Sequence, residues 1–162
     1  MKLQGTVMTG KIKKFFIVLL LAGAVISGYC LWLSLRPVEI VAVHHRGNGF
    51  SAVLVKSFPL TDTGKIHWWL KNQAMLKEKY NIPNYPEDGY FTVTFWRFGE
   101  GYKEEGKYDR LCFNDMLPPI NCIEKDAVFS VWNNRHRDTI FATYDGRYRL
   151  KENGNIVKFT YQ

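Results

Sequence analysis

An α+β domain carried on one transmembrane helix is the fold class this sequence predicts, and three observations carry the prediction. Phe15 to Leu35 is an uncharged run of 21 residues. Only one later stretch, Ile66 to Tyr80, has helical period. Around it lie short β-branched and aromatic segments, several of them divided by the turn dipeptides Asn48-Gly49, Asp145-Gly146 and Asn153-Gly154. The fold expected is therefore a single N-terminal transmembrane helix, then a small antiparallel β-sheet domain with one main amphipathic helix packed on it. With 162 residues, 46% of them hydrophobic and 15% aromatic, the chain excludes a disordered tail, a collagen and a coiled-coil rod.

The apolar run comes first. At 1.5 Å per helical residue, 21 residues reach roughly 30 Å, the hydrocarbon thickness of a bilayer. Lipid offers no partner to backbone amides, so the run must be a continuous helix. Tyr29 and Trp32 suit the interface at its far end. Lys2, Lys11, Lys13 and Lys14 precede it, and Arg36 follows with Glu39 nearby. The positive-inside rule makes Lys11, Lys13 and Lys14 the topology-determining residues. The expected organisation is a basic cytoplasmic terminus (1–14), a transmembrane helix (15–35) and a periplasmic α+β domain (37–162), anchored in a bacterial inner membrane. A cleaved signal peptide competes through Ala22-Gly23-Ala24, but apolar sequence continues eleven residues past that site. A lipoprotein signal is disfavoured because Tyr29 precedes Cys30 where a small residue is needed.

The net charge of +7 invites a nucleic-acid reading, but its distribution does not. Residues 1–36 hold five basic residues and no acidic one, leaving 17 basic against 15 acidic in the remainder. The excess belongs to the membrane flank, so the bilayer is the expected partner and nucleic acid is not.

After Arg36-Pro37 ends the helix, Val38 to Val43 reads as a strand, and Phe50 to Lys56 returns across the Asn48-Gly49 turn. Asp62 reads as the cap of the amphipathic helix. Ile66, Trp69, Leu70, Gln73, Leu76, Lys77 and Tyr80 form its inward stripe, and the helix stops before Pro83. Tyr90 to Phe98 alternates, with Tyr90, Thr92, Thr94 and Trp96 on one face and Phe91, Val93, Phe95 and Arg97 on the other. Tyr108 to Phe113, Ala127 to Trp132, Thr139 to Tyr144, Arg147 to Lys151 and Ile156 to Tyr161 complete the strand candidates.

Cys30 falls in the span and reads as an inert apolar residue. Cys112 and Cys122 flank nine residues bent by Pro118-Pro119. In an oxidising compartment they are expected to form a disulfide, stabilising by roughly 2.5–3 kcal/mol in the chain-entropy model.

No nucleophile elbow, phosphate loop, dinucleotide fingerprint or zinc-protease helix is present in the sequence. Neighbours in a strand point to opposite faces, so His44 and His45 cannot serve one metal. His67 and His136 lack partners in the sequence. No catalytic residue, metal ligand or cofactor is expected, and the chain is read as a non-enzyme. The charged stretch Glu100 to Asp109 is the best candidate surface: Glu100, Lys103, Glu104, Glu105 and Lys107 with Tyr102 suit a recognition loop. Trp68, beside inward Trp69, is the other candidate anchor.

RPVEIVAVH after the span, FPLTDTGKIHWWLKNQAMLKEKYNIP, FWRFGEGYKEEGKYDRLCFNDM, NCI and DGRYRLKENGNIVK together resemble the enterobacterial putative membrane protein family, a domain-of-unknown-function family. The resemblance covers Lys11 to about Lys158. It implies a small envelope protein anchored in the inner membrane of enteric bacteria, and it transfers no activity and no catalytic residue. The expected function is a non-enzymatic protein-interaction module with a protein partner. Alternatives are an immunity protein against a periplasm- or membrane-acting toxin, an envelope hydrolase, and an accessory subunit of a membrane complex.

Overall fold

The computed structural model describes residues 10–160; residues 1–9, with Lys2, and residues 161–162 lie outside the described set. The chain divides into two compact units, Met1–Arg36 and Pro37–Gln162. In the first, α1 spans Gly10–Leu35. It starts five residues before the charge-free run, because lysine is a good helix former and Lys11, Lys13 and Lys14 simply extend the ladder. The helix is long and apolar enough to cross a membrane, and Gly10–Leu33 is unburied by protein. At its far end the Arg36 guanidinium lies 3.6 Å from the centre of the Trp32 ring.

The second unit holds ten strands and one helix among the described residues: β1 (Glu39–His45), β2 (Phe50–Lys56), α2 (Asp62–Tyr80), β3 (Thr92–Arg97), β4 (Lys103–Glu104), β5 (Arg110–Cys112), β6 (Ile120–Glu124), β7 (Ala127–Asn133), β8 (Thr139–Ala142), β9 (Arg147–Leu150) and β10 (Ile156–Phe159). Seven strands form one sheet in the order β1-β2-β3-β7-β8-β9-β10. The expected α+β arrangement is what the chain adopts. The antiparallel expectation needs one correction: β2 and β3 run parallel, with Phe50 opposite Thr92 and Val55 opposite Arg97. A helix-length connection between neighbouring strands permits that, and α2 is the crossover.

The first hairpin turns through Arg46 to Gly49, with positive φ at Gly47, Asn48 and Gly49. At Gly49 a Cβ would sit 2.3 Å from the Tyr90 carbonyl, so glycine there also lets the chain before β3 come close. Thr61, not Asp62, caps α2: its Oγ1 accepts from the Gly64 N–H at 3.1 Å. Asp62 instead accepts the Tyr148 hydroxyl of β9 at 2.6 Å. The helix closes on Asn81 in the left-handed conformation, with Ile82 N–H donating to the Leu76 carbonyl and Asn81 N–H to that of Lys77.

The predicted stripe is partly inward. Ile66, Trp69 and Leu76 are buried, whereas Gln73 and Lys77 are exposed. They meet Val53, Val55, Val93, Phe95, Phe129, Val131 and Phe141 on one face of the sheet. The opposite face of β2 is covered as well. Ala52 and Leu54 pack with Leu111, Phe113 and Ile123. That second layer is a small sheet in the order β4-β6-β5. It explains why the five interior residues of β2 are all buried: a strand covered on both sides is apolar without alternation.

Candidate functional site

The small sheet begins from its cysteines. Cys112 and Cys122 lie directly opposite each other in the β5–β6 ladder and are disulfide-bonded. Leu111 and Ile123 point to the other side of this ladder and are buried against the main sheet. The expected strand over Tyr108 to Phe113 shrinks to three residues, and β6 begins two residues before Cys122, at the end of a segment expected only to bend.

Beneath the small sheet lies a polar cluster. His44 and His45 do face opposite ways. His45 turns to the helix side, where its ring nitrogens meet Ser51 Oγ at 3.2 Å and the Tyr80 carbonyl at 3.1 Å. His44 turns under the small sheet and is 5% exposed. Its ring stacks on Phe113 at 3.8 Å between centroids. Nδ1 lies 2.8 and 2.9 Å from the two Asp115 carboxylate oxygens, and Nε2 lies 2.9 Å from the Tyr102 hydroxyl. Beside a carboxylate Nδ1 carries the hydrogen, so in the neutral ring Nε2 accepts from Tyr102. Both ring nitrogens are satisfied, which is what permits burial. Burial, and then the charge of Asp115, hold the Tyr102 hydroxyl above the usual phenol range.

The outer surface carries charge. Arg110 and Glu124 are cross-strand partners, with Arg110 Nε 3.0 Å from Glu124 Oε1. Lys103 Nζ lies between Glu124, at 3.2 Å, and Glu100, at 2.6 Å. Hydrogen bonds from Arg110 and then Lys103 hold the pKa of Glu124 below the ordinary carboxylate value. The bond to Lys103 does the same for Glu100, and Lys103 is raised in return. Glu100 and Lys103, two of the candidate contact residues, are therefore occupied within the fold, and Tyr102 points inward to His44. Glu104, Glu105 and Lys107 are exposed and make no ion pair among the described residues. They surround the turn at Gly106, beside Tyr108, which is 70% exposed. The binding candidates thus divide into a structural set and a projecting tip.

Trp68 is half-buried, its ring 5.2 Å from Phe58 and 5.8 Å from Phe95. It belongs to the aromatic packing under α2. His67 and His136 are exposed. Among the described residues no group of three or more His, Cys, Asp or Glu could hold a metal.

Sequence reasoning missed Asp115 and the burial of His44. The two residues are 71 positions apart, so no local pattern joins them. One signal was available: a disulfide between Cys112 and Cys122 brings Arg110–Cys112 beside the INCIE segment.

A family model described as an enterobacterial putative membrane protein matches residues 9–160. No curated protein and no solved structure matches the chain.

Proposed function

The chain belongs to the enterobacterial putative membrane protein family, and from that premise we propose that it is a single-pass inner-membrane protein whose folded domain faces the periplasm and binds a protein partner without catalysing a reaction. The observation that carries this reading is the small sheet itself. A crosslink holds it together, and its far tip presents Glu104, Glu105, Lys107 and Tyr108 outward. Disulfides persist in oxidising compartments, which supports export of the domain. Lys11, Lys13 and Lys14 at the start of α1 support the same orientation.

Binding is favoured over chemistry by the condition of the buried cluster. An Asp–His–hydroxyl chain resembles an activated nucleophile in outline. Here the hydroxyl is a phenol made harder to ionise, and the imidazole is stacked on Phe113. Such a cluster clasps the small sheet to the main one. The tip it steadies combines an aromatic ring with charges of both signs, a composition suited to an interface rim.

Two measurements test the reading. Alkaline phosphatase fused to the C-terminus should be active and green fluorescent protein dark; the reverse pattern would overturn the topology. A photo-crosslinker placed at Lys107 should give one discrete adduct in cells. Reversing Glu104 and Glu105 to lysine should remove it, while exchanging α1 for an unrelated anchor should not. Loss of the adduct on the anchor exchange would favour an accessory subunit bound through its span.

A further inference from the structure

A second site lies on the helix side, where β2 ends and α2 begins. Ser57, Phe58, Pro59 and Leu60 form the connection, and with Val55, Arg97 and Val128 they line a cavity of about 280 Å³. Lys65, from the first turns of α2, and Tyr144 line it too. The cavity sits past the carboxyl ends of the two parallel strands and at the start of their crossover helix.

Lys65 is the anomaly. The residue is 5% exposed, its stem packed while its ammonium, which is not among the buried atoms without a partner, opens into the cavity. Its ammonium lies 5.3 Å from the centre of the Tyr144 ring. Among the described residues it meets no carboxylate and no hydrogen-bond acceptor, so three N–H donors are left over. The other cation at the cavity is spent: Arg97 Nε pairs with Asp126 at 2.7 Å. Tyr144 donates its hydroxyl to the same carboxylate, leaving its ring as a wall. Lys65 is thus the cationic group at the cavity with no ion pair among the described residues, and Ser57 lines the cavity beside it. Phe58, Val55 and Val128 supply apolar wall, and Leu60, 76% exposed, stands at the rim.

We infer that this cavity binds a small organic monoanion: a carboxylate seated on the Lys65 ammonium and Ser57 hydroxyl, carrying a short aliphatic group against Phe58 and Val128. One positive charge matches a carboxylate rather than a phosphate dianion. The cavity of about 280 Å³ has room for a short aliphatic group beside the carboxylate. The inference is independent of which side of the membrane holds the domain. Two sources share the chemistry: a free short-chain acid, and the C-terminal carboxylate of a peptide ending in an aliphatic residue.

The test uses the full chain in lipid nanodiscs, with empty nanodiscs as the blank. Equilibrium dialysis compares hexanoate with hexanamide, and acetyl-Ala-Ala-Leu acid with its amide. At least one acid should bind about tenfold or more tightly than its amide, as one charge-assisted contact requires; the tighter acid identifies the source. Lys65→Met should abolish that preference. Leu60→Glu, at an exposed position, should weaken acid binding without changing the unfolding temperature, so the inference stays testable if the lysine variant misfolds. Equal binding of acid and amide in both pairs, no binding at millimolar ligand, or tighter binding of inorganic phosphate would each overturn it.

Discussion

On the helix side of the main sheet, α2 lays Ile66, Trp69 and Leu76 over a broad apolar field that includes Phe95, Phe129 and Phe141. On the other side, strands of two, three and five residues bring Leu111, Phe113 and Ile123 down on Ala52 and Leu54. The small layer is fastened by a disulfide, by the buried His44 imidazole that reaches it from β1, and by an ion ladder across β4, β6 and β5. The difference follows from size. Strands this short bury too little apolar surface to stay down unaided. Covalent and polar fastenings make up the deficit, and in doing so they leave a rigid surface at which charge can be displayed.

The comparison predicts that damage on the helix side is global and damage on the small-sheet side is local. The largest effect belongs to Phe95→Ala. Phe95 is fully buried and touches Phe58, Trp68, Trp69 and Phe129, so its loss should cost about 3–5 kcal/mol. Denaturant unfolding should show both layers melting together at a lower midpoint. If the small sheet survived, the two sides would not share a cooperative core.

Cys112→Ser paired with Cys122→Ser comes next, at roughly 2.5–3 kcal/mol. Amide exchange should quicken across 103–124 while α2 keeps its protection. His44→Phe preserves a ring for Phe113 and removes both hydrogen bonds, leaving Asp115 and Tyr102 without this partner. It should cost about 1–3 kcal/mol, again confined to the small sheet. Uniform loss of protection in either variant would erase the proposed division.

A fourth measurement sharpens the comparison from the helix side, which has a polar fastening of its own. The hydrogen bond from Tyr148 to Asp62, aided by burial and nearby carboxylate charge, pushes the phenol up to about 12. Its folded value thus exceeds the unfolded value near 10. The stabilisation is complete below about pH 10 and vanishes as pH climbs through about 12. The difference in stability between the parent chain and Tyr148→Phe should shrink over that interval. A difference independent of pH would remove the fastening. Smallest is Glu124→Gln. Its ion pairs are open to solvent, so the effect should be slight at low ionic strength and absent in high salt.

The same contrast governs what could be read in advance. α2 and β3 were legible because each has one buried face, which writes a period of 3.6 or 2 into the residues. β2 was found at its full length, yet its burial on both sides was already present in the unbroken SAVLV run. The small sheet was mostly invisible. β4 is two residues long, and β6 stands behind a double proline that reads as a loop. The cap slipped by one residue because threonine and aspartate are near-equal acceptors, and the reach of Tyr148 to Asp62 cannot be inferred from neighbours in sequence.

What the sequence determined by itself was local: an apolar rod of membrane length, one amphipathic helix, turns at Asn-Gly and Asp-Gly, and the absence of familiar catalytic motifs. These depend on residues within a few positions of each other, where chain geometry alone relates side chain to side chain. Only the tertiary structure decided the parallel register of β2 with β3, the fold-back of the small sheet, the burial of His44 on Asp115, and the placing of Lys65 at a cavity. Each of those rests on residues far apart in the chain, and long-range pairing is settled by which surfaces can be buried together, a competition that no short stretch of sequence records.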